Sequence, residues 1–290
     1  MDPARKRRGF ALLSVLWGLS ILSIIAASLL TSTDLSYRME RNALRRTERE
    51  MLVEAAINRA ILALVDRRTE KRWRVDGAIY DFAFAGAEIR VSIQDELGKI
   101  DLNASDGSLL QGLLRSAGLG ADDAASLVDK VLDWREAGDA HRLNGAKEAA
   151  YRAAGYVYGP RNGPFQSIDE LAMVMGMTPA LFARLAPAIT IYSGRPVIDP
   201  QTAPREALLA LPTMDETSVD ALLAARYDGG TLTSGGQTAP AGIIDPAISL
   251  AGRAFTIRAE IDMGGVRQRR EAVIRLTDNA AQPYWVLAWR

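Results

Sequence analysis

The hydrophobic pattern of the chain begins with an uninterrupted apolar run near the amino terminus. No charged residue occurs between Phe10 and Thr33. The 21 positions from Phe10 to Leu30 are enough, at about 1.5 Å of rise per residue, to cross a bilayer core roughly 30 Å thick. Four basic residues come immediately before the run, at positions 5–8. Because basic residues favour the cytoplasmic side, we expect a membrane helix over residues 10–33 with the rest of the chain outside.

A cleaved secretory signal is the alternative interpretation of this run, since Ala26-Ala27-Ser28 is similar to a small-residue processing site. The apolar run is longer than the usual signal core of roughly 7–15 residues. The sequence also contains neither Gly nor Pro from Leu19 to Asp76, and these two residues interrupt helices most strongly. Both features favour a single helix that leaves the membrane and continues for about 60 residues in all.

Beyond this helix the pattern changes to a period of two, which is typical of strands. The alternating segments are 79–85, 88–94, 255–262, 272–276 and 284–289. Gly86 separates the first two segments, and Gly264-Gly265 supplies a turn between the third and the fourth. Two strands before a long middle region and three after it predict one antiparallel sheet packed on the helix, with a second domain inserted between its halves.

The middle region, residues 98–245, has a helical pattern in which leucine pairs alternate with turn residues. Ser167 and Thr178 stand where helices are expected to begin, so we predict that they act as helix caps. The units resemble helix-hairpin-helix motifs, and Gly118-Leu119-Gly120 has the glycine spacing that such hairpins use to hold DNA phosphates. This resemblance raises the alternative of a membrane-anchored DNA receptor.

Charge argues against nucleic acid as a partner. The middle region contains 12 Lys and Arg against 18 Asp and Glu, a net charge of −6, and Asp122-Asp123 directly follow the glycine turn. Affinity for nucleic acid depends mainly on neutralising phosphates. We therefore expect no binding of nucleic acid, and the glycines are more simply explained as tight helix connections.

Composition also excludes several kinds of active site. The 290 residues include no cysteine and one histidine, His141, so disulfides, thiolate zinc sites and cysteine nucleophiles are impossible. His141 has no Ser or Cys partner at motif spacing, and we expect it to have a surface or hydrogen-bonding role. The sequence lacks phosphate loops, metal-spaced histidine pairs and a nucleophile elbow. It therefore predicts a protein that is not an enzyme.

The amino terminus resembles that of type IV pilin-like precursors. A short basic leader ends at Gly9, and an apolar segment from Phe10 to Trp17 opens a long single helix. The resemblance implies that residues 1–9 are a leader peptide. A membrane-embedded prepilin peptidase would cut it after Gly9 and methylate the new amino terminus, Phe10. Removing the leader changes the formal net charge from zero to −3.

Ser14 marks a departure from this pattern. Most members of the class carry Glu at the fifth mature position, where its carboxylate neutralises the terminal ammonium of a neighbouring subunit. A buried charge without a partner is costly, so a subunit with Ser14 is suited to start a fibre rather than to be added beneath one. Lack of this Glu and large size are similar to the K-type minor pseudopilin of type II secretion systems.

The same resemblance implies a calcium site in the loop after Asp133-Trp134. Calcium requires six to eight oxygen ligands, and the predicted ligands are Glu136, Asp139, Asn144 and Glu148. Three expected carboxylates are replaced, at Gly138, Lys147 and Ala149. A lysine inside a cation site is unfavourable unless it points away, so the alternative is a solvated acidic loop held by its own hydrogen bonds.

The K-type resemblance therefore predicts an α+β protein of the bacterial inner membrane, with its large domain in the periplasm. After the membrane helix come a pilin-like helix with the first strands, an inserted all-α domain and the closing strands, over residues 34–97, 98–245 and 246–290. Trp285 and Trp289 share one face of the last strand, and we predict that they are core residues that pack the sheet onto the helix; an exposed partner site is the alternative. The partners that the resemblance implies are the I-type and J-type minor pseudopilins, the major pseudopilin and the prepilin peptidase.

Overall fold

The computed structural model describes residues 4–66, 68, 72–227, 231–234, 237–240 and 250–290. The chain divides into two compact units, Met1–Leu52 and Val53–Arg290. In chain order the elements are α1 (Ala4–Val65), β1 (Asp76–Phe84), β2 (Ala87–Asp95), β3 (Ile100–Asp101), α2 (Gly107–Ser116), α3 (Ala121–Arg135), α4 (Glu148–Ala153), α5 (Pro179–Leu185), β4 (Ile189–Thr190), α6 (Arg205–Leu208), α7 (Glu216–Tyr227), β5 (Thr231–Ser234), β6 (Gln237–Pro240), β7 (Ala254–Met263), β8 (Val266–Leu276) and β9 (Tyr284–Trp289).

Helix α1 is continuous over 62 residues, as the absence of Gly and Pro after Leu19 predicts. Ser14 lies on an exposed stretch of it. Within the described part of the chain, no helix combines the length and the apolar character needed to cross a membrane. The predicted span runs from Phe10 to Leu30; the side chains of both end residues, and the surroundings of Gly9, lie outside what the structure describes.

In the second unit the last turns of α1 carry a buried apolar stripe. Its positions follow each other at helical spacing: Val53, Ala56, Ile57, Ala60, Ile61 and Leu64. The guanidinium of Arg59 lies 4.7 Å from the ring centroid of Phe82 on β1 and 5.8 Å from that of Trp73. These contacts place the end of the helix beside the sheet.

One antiparallel sheet contains the strands from both ends of the second unit, in the spatial order β1-β2-β7-β8-β9. Residues on β2 alternate between the two faces: Ile89, Val91 and Ile93 are buried, whereas Glu88 and Arg90 are exposed. The mixed class of helix and antiparallel sheet is therefore confirmed. Strands β2 and β7 are direct neighbours in the sheet although the helical region separates them in sequence.

The helices of the middle region share one apolar core, which extends from Ile100 to Val219. Thr178 accepts a hydrogen bond from the N–H of Leu181 at 3.2 Å and begins α5, so the predicted cap is confirmed. Ser167 accepts from the N–H of Asp169 at 3.0 Å and caps a short 3-10 helix.

Two helical hairpins of this region, α2–α3 and α6–α7, make a close backbone contact. Helices α2 and α3 are joined by a turn in which Gly118 adopts a φ of +95°. Gly112 on α2 faces Ala210, just after α6, and a Cβ placed on Gly112 would lie 2.1 Å from the carbonyl oxygen of Ala210. The hairpins approach this closely because Gly112 has no side chain.

A group of buried charges lies where the sheet meets the helical region. Asp95, at the end of β2, is fully buried and pairs with Arg253, which immediately precedes β7. Burial raises the pKa of Asp95 to about 6, although Arg253 opposes the shift. Nearby, Lys99 Nζ donates to Glu96 Oε1 at 2.6 Å. Removing one partner of such a buried ion pair leaves the other charge buried without a partner, which destabilises the fold.

Candidate cation site in the loop after helix α3

An aromatic cluster fixes the start of the loop that follows α3, residues 136–147, which we call the α3 loop. Trp134 is almost fully buried, and its ring centroid lies 6.0 Å from that of Tyr151 and 6.1 Å from that of Phe165. The Tyr151 hydroxyl accepts a hydrogen bond from the N–H of Met175 at 2.9 Å. Burial raises the pKa of Tyr151 to about 12. The residue positions at which the α3 loop begins are therefore fixed by tightly packed aromatic side chains.

Arg142 binds two carboxylates at the end of α3 and so closes the α3 loop. Its Nη1 lies 3.0 Å from Asp133 Oδ1 and 2.7 Å from Glu136 Oε2, and its Nη2 lies 2.6 Å from Glu136 Oε1. Asp133 is buried, with 1% of its surface exposed. The hydrogen bonds that Arg142 donates to Glu136 hold the pKa of the Glu136 carboxyl below its ordinary value, and the same bonds raise the pKa of the Arg142 guanidinium. Glu136 is therefore a carboxylate and Arg142 a guanidinium at neutral pH.

The Lys147 ammonium lies inside the α3 loop and has three oxygen partners. Nζ donates to the backbone carbonyls of Asp133 and Glu136, each at 2.7 Å, and to Asn162 Oδ1 at 2.9 Å. Only 7% of the Lys147 surface is exposed. These four groups are called the ammonium site below, and they place one positive charge where α3 ends.

The backbone of the α3 loop passes directly over the buried carboxylate of Asp133. A Cβ placed on Gly145 would lie 1.8 Å from Asp133 Oδ2 and 2.9 Å from the backbone nitrogen of Arg142. Only a residue without a side chain fits between the carboxylate and the turn. The loop is thus shaped around Asp133 and its guanidinium partner.

The structure does not bring the four predicted calcium ligands together. Glu136 binds Arg142, Asn144 donates from its backbone N–H to Asp129 Oδ2 at 3.1 Å, and Glu148 Oε1 accepts from Arg152 Nε at 2.8 Å. Asp139 is exposed. Among the residues that the structure describes, no group of three or more Asp, Glu, His or Cys side chains is placed to hold a metal ion. Calcium binding by this set stays a prediction from the resemblance.

Sequence reasoning missed the inward direction of Lys147 and the role of Asn162. The sequence offered one signal for the first: a lysine stood where a carboxylate was expected, inside a predicted cation site. Nothing in the sequence linked Asn162 to the loop, because it lies 15 residues after Lys147 and beyond α4 in the chain. Arg142 was equally hidden, since its partners lie six and nine residues away.

His141 lies exposed in the same loop, and its Nδ1 is 2.9 Å from the carbonyl oxygen of Arg142. This backbone contact is the local hydrogen-bonding role that the sequence suggested. Within the described part of the chain, His141 is not paired with a nucleophilic side chain of the kind that a Ser–His or Cys–His site contains.

The glycine turn of the first hairpin is unsuited to binding phosphate. Gly118 has a positive φ, but Gly120 has a φ of −61° and simply precedes the first turn of α3. Asp122 and Asp123 occupy that first turn and are exposed. Two carboxylates at the helix amino terminus would repel the phosphates of a nucleic acid.

The prediction that Trp285 and Trp289 are core residues is wrong. Trp285 is 53% exposed and Trp289 is 47% exposed. Both lie on β9, the last strand at one edge of the sheet, so one side of each ring has no neighbouring strand to cover it. Period-two alternation identifies a strand face, but it does not distinguish a central strand from an edge strand.

Sequence comparisons connect the chain to one family. A sequence model described as "Type II secretion system (T2SS), protein K" matches residues 93–194. Type II secretion system protein K of Aeromonas hydrophila is 25% identical over 320 aligned residues, which cover 96% of each chain. The protein K of Klebsiella pneumoniae is also 25% identical, over 205 residues that cover 63% of this chain and 62% of the Klebsiella protein.

A structural comparison agrees with the sequence matches. The chain is similar to a chain in the crystal structure of the GspK-GspI-GspJ complex of the type 2 secretion system of enterotoxigenic Escherichia coli, with a TM-score of 0.57 and 15% sequence identity. The match covers 87% of this chain and 98% of the other. At that identity the comparison shows a shared fold of helices and antiparallel sheet.

Proposed function

We propose, from its relationship to the type II secretion system protein K family, that this chain is a minor pseudopilin at the tip of a periplasmic pseudopilus. In this role it starts or caps fibre assembly and catalyses no reaction. The observation that carries the proposal is the sequence match to protein K, which includes residues 93–194 and extends, for the Aeromonas relative, over 96% of the chain. The DNA-receptor alternative finds no support in these matches or in the acidic first turn of α3.

The shape of the second unit supports a position at the end of a fibre. A pilin-like pairing of helix and sheet is interrupted between β2 and β7 by the whole helical region. In the proposed role this bulky insertion occupies the space where a further subunit would otherwise stack. A further subunit stacked there would collide with it, so growth proceeds only from below.

The amino-terminal segment supports insertion in the inner membrane. We assign residues 1–9 as a leader that a prepilin peptidase removes after Gly9, with methylation of Phe10, and residues 10–33 as the membrane anchor. The basic leader stays in the cytoplasm, which leaves the second unit in the periplasm. Ser14 supplies no carboxylate for the terminal ammonium of a neighbour, which favours the first position in the fibre.

The partners that fit this role are the I-type and J-type minor pseudopilins, and the major pseudopilin that the tip complex recruits. The structurally similar chain comes from a complex with two other subunits. The half-exposed Trp285 and Trp289 on β9 add apolar aromatic surface, which is enriched at protein interfaces.

We expect the full chain, extracted from membranes in mild detergent, to copurify with its own I-type and J-type pseudopilins. The reason is that lateral contacts between pilin-like helices and domains hold a tip complex together without the fibre. The measurement is affinity capture of the tagged chain followed by mass spectrometry. Recovery without any pilin-like subunit, or retention of the chain on DNA at moderate salt, contradicts the proposal.

We expect a Gly9→Asp variant to accumulate as precursor and to abolish secretion. The class of peptidase implied by the leader cuts after glycine, and a charged side chain at that position obstructs cleavage. The measurement is the amino-terminal sequence of the purified chain, together with the amount of secreted protein in the medium. Gly18→Ala is the matched control, because a Cβ on Gly18 meets no atom within 4 Å. Normal maturation of the Gly9 variant would show that residues 1–9 are not a leader.

A further inference from the structure

We infer that Lys147 is a built-in cation of the α3 loop, and that this loop folds without a divalent metal ion. The resemblance implies calcium at this place, but the residues present do not fit calcium. The inference concerns the structure of the loop and is independent of the proposed role in secretion.

The ammonium site has the coordination that a small cation would have at this point. Lys147 Nζ has three protons and three oxygen partners, at 2.7, 2.7 and 2.9 Å. Two of the partners are backbone carbonyls at the carboxyl end of α3, from Asp133 and Glu136. The final carbonyls of a helix have no partner within the helix and carry its negative dipole end. An ammonium placed there donates hydrogen bonds to these carbonyls and brings a positive charge to the negative end of the helix dipole.

The charges that meet at Arg142 and at the ammonium site are balanced without a metal, and Asp139, the other acidic residue of the α3 loop, is exposed. Asp133 and Glu136 contribute two negative charges, and Arg142 and Lys147 contribute two positive ones. A calcium ion beside the buried ammonium would add two uncompensated positive charges within a few ångströms. Like charges at that distance repel strongly in a poorly solvated site.

The remaining oxygen ligands are directed elsewhere. Asn144 Nδ2 donates to Asp129 Oδ2 at 3.3 Å, and Glu148 Oε1 accepts from Arg152 Nε at 2.8 Å, so turning both side chains toward one ion would disturb these contacts. Gly145 lies so close to Asp133 that the loop backbone cannot move inward. Asn162 Oδ1 is already used by Lys147. A metal-bound form therefore requires a different loop, not a small adjustment of this one.

The test is hydrogen exchange, measured by mass spectrometry on peptides covering residues 136–147 of the full chain in detergent. For the wild type we expect exchange rates that agree within about twofold in EDTA, in metal-free buffer and in millimolar calcium chloride. Lys147→Met should exchange at least about tenfold faster in this loop under all three conditions, because the helix carbonyls lose their donor.

Lys130→Met is the matched control, since Lys130 lies on α3 and its ammonium donates no hydrogen bond to any residue that the structure describes. In the Lys130→Met variant we expect the α3 loop to exchange its amide hydrogens at the wild-type rate. Two results would overturn the inference: a wild-type loop that calcium slows or EDTA accelerates by about tenfold, or a Lys147→Met loop that exchanges at the wild-type rate. If Lys147→Met fails to fold, the exchange rates of the wild-type loop in EDTA and in calcium chloride still show whether the loop needs a metal ion.

Discussion

An Arg253→Met variant is expected to lose about 3–5 kcal/mol of unfolding free energy at pH 7, because it removes one partner of a buried ion pair. Asp95 is fully buried, and its other close partner is the N–H of Leu97 at 2.9 Å. Without the guanidinium, the buried Asp95 side chain either keeps an unpaired charge or takes up a proton, and both cost stability at pH 7. Denaturant unfolding of the full chain in detergent, followed by tryptophan fluorescence, measures the loss.

The loss should depend on pH in a defined direction. An unfolded Asp has a pKa of about 3.9, whereas burial raises the pKa of Asp95 to about 6 in the folded chain. The folded state therefore binds this proton more tightly. The stabilisation from that proton is full below about pH 4 and is lost as the pH rises to about 6, a contribution of up to about 3 kcal/mol.

In the Arg253→Met variant the pKa of Asp95 should rise further, because Arg253 is the largest factor that lowers it. At pH 5 the carboxyl is mostly neutral in both proteins, so the difference in unfolding free energy should shrink. The double variant Asp95→Asn with Arg253→Met is the control, and it should recover most of the loss at pH 7. A deficit of equal size at pH 5 and pH 7 would show that the ion pair is not its cause.

The second large effect is expected for Gly112→Ala, with a loss of about 3 kcal/mol of unfolding free energy. The added Cβ would lie 2.1 Å from the carbonyl oxygen of Ala210 and 3.0 Å from its carbonyl carbon. Both atoms belong to backbone, so no side chain can rotate away and the two hairpins must separate. This steric cost exceeds the gain of about 1 kcal/mol in helix propensity.

Gly120→Ala provides the comparison for this prediction. Gly120 belongs to the same hairpin and has a φ of −61°, and the nearest atom to an added Cβ is Asp123 Oδ2 at 3.8 Å. The Gly120 variant should unfold within about 0.5 kcal/mol of the wild type. Equal stability of the two variants would mean that the contact between Gly112 and Ala210 does not limit packing. The measurement is the same denaturant unfolding.

The sequence predicted those features that depend on local pattern. The long α1 follows from the absence of Gly and Pro, the strands from alternation, and the caps from Ser167 and Thr178. In each case the structure depends on the conformational preferences of residues that are close together in the sequence.

Features that depend on direction or on distant neighbours were not predictable. Lys147 was recognised as out of place, but only the fold shows that its ammonium turns toward the carbonyls of α3. The exposure of Trp285 and Trp289 depends on whether another strand lies beside β9, and the alternation of apolar and polar residues does not reveal this. Glu136 was available as a ligand in the sequence, whereas in the fold Arg142 already binds it.

The direct pairing of β2 with β7 has a consequence for the order of folding. Asp95 and Phe255 lie opposite each other in the sheet, so the helical region forms one very long loop between adjacent strands. Closing an unstructured loop of about 160 residues costs roughly 4–5 kcal/mol of chain entropy. Condensation of the helices around their own core shortens that loop before the strands meet. Nucleation among the helices should therefore precede closure of the sheet, and slow formation of the helical core would delay formation of the five-stranded sheet.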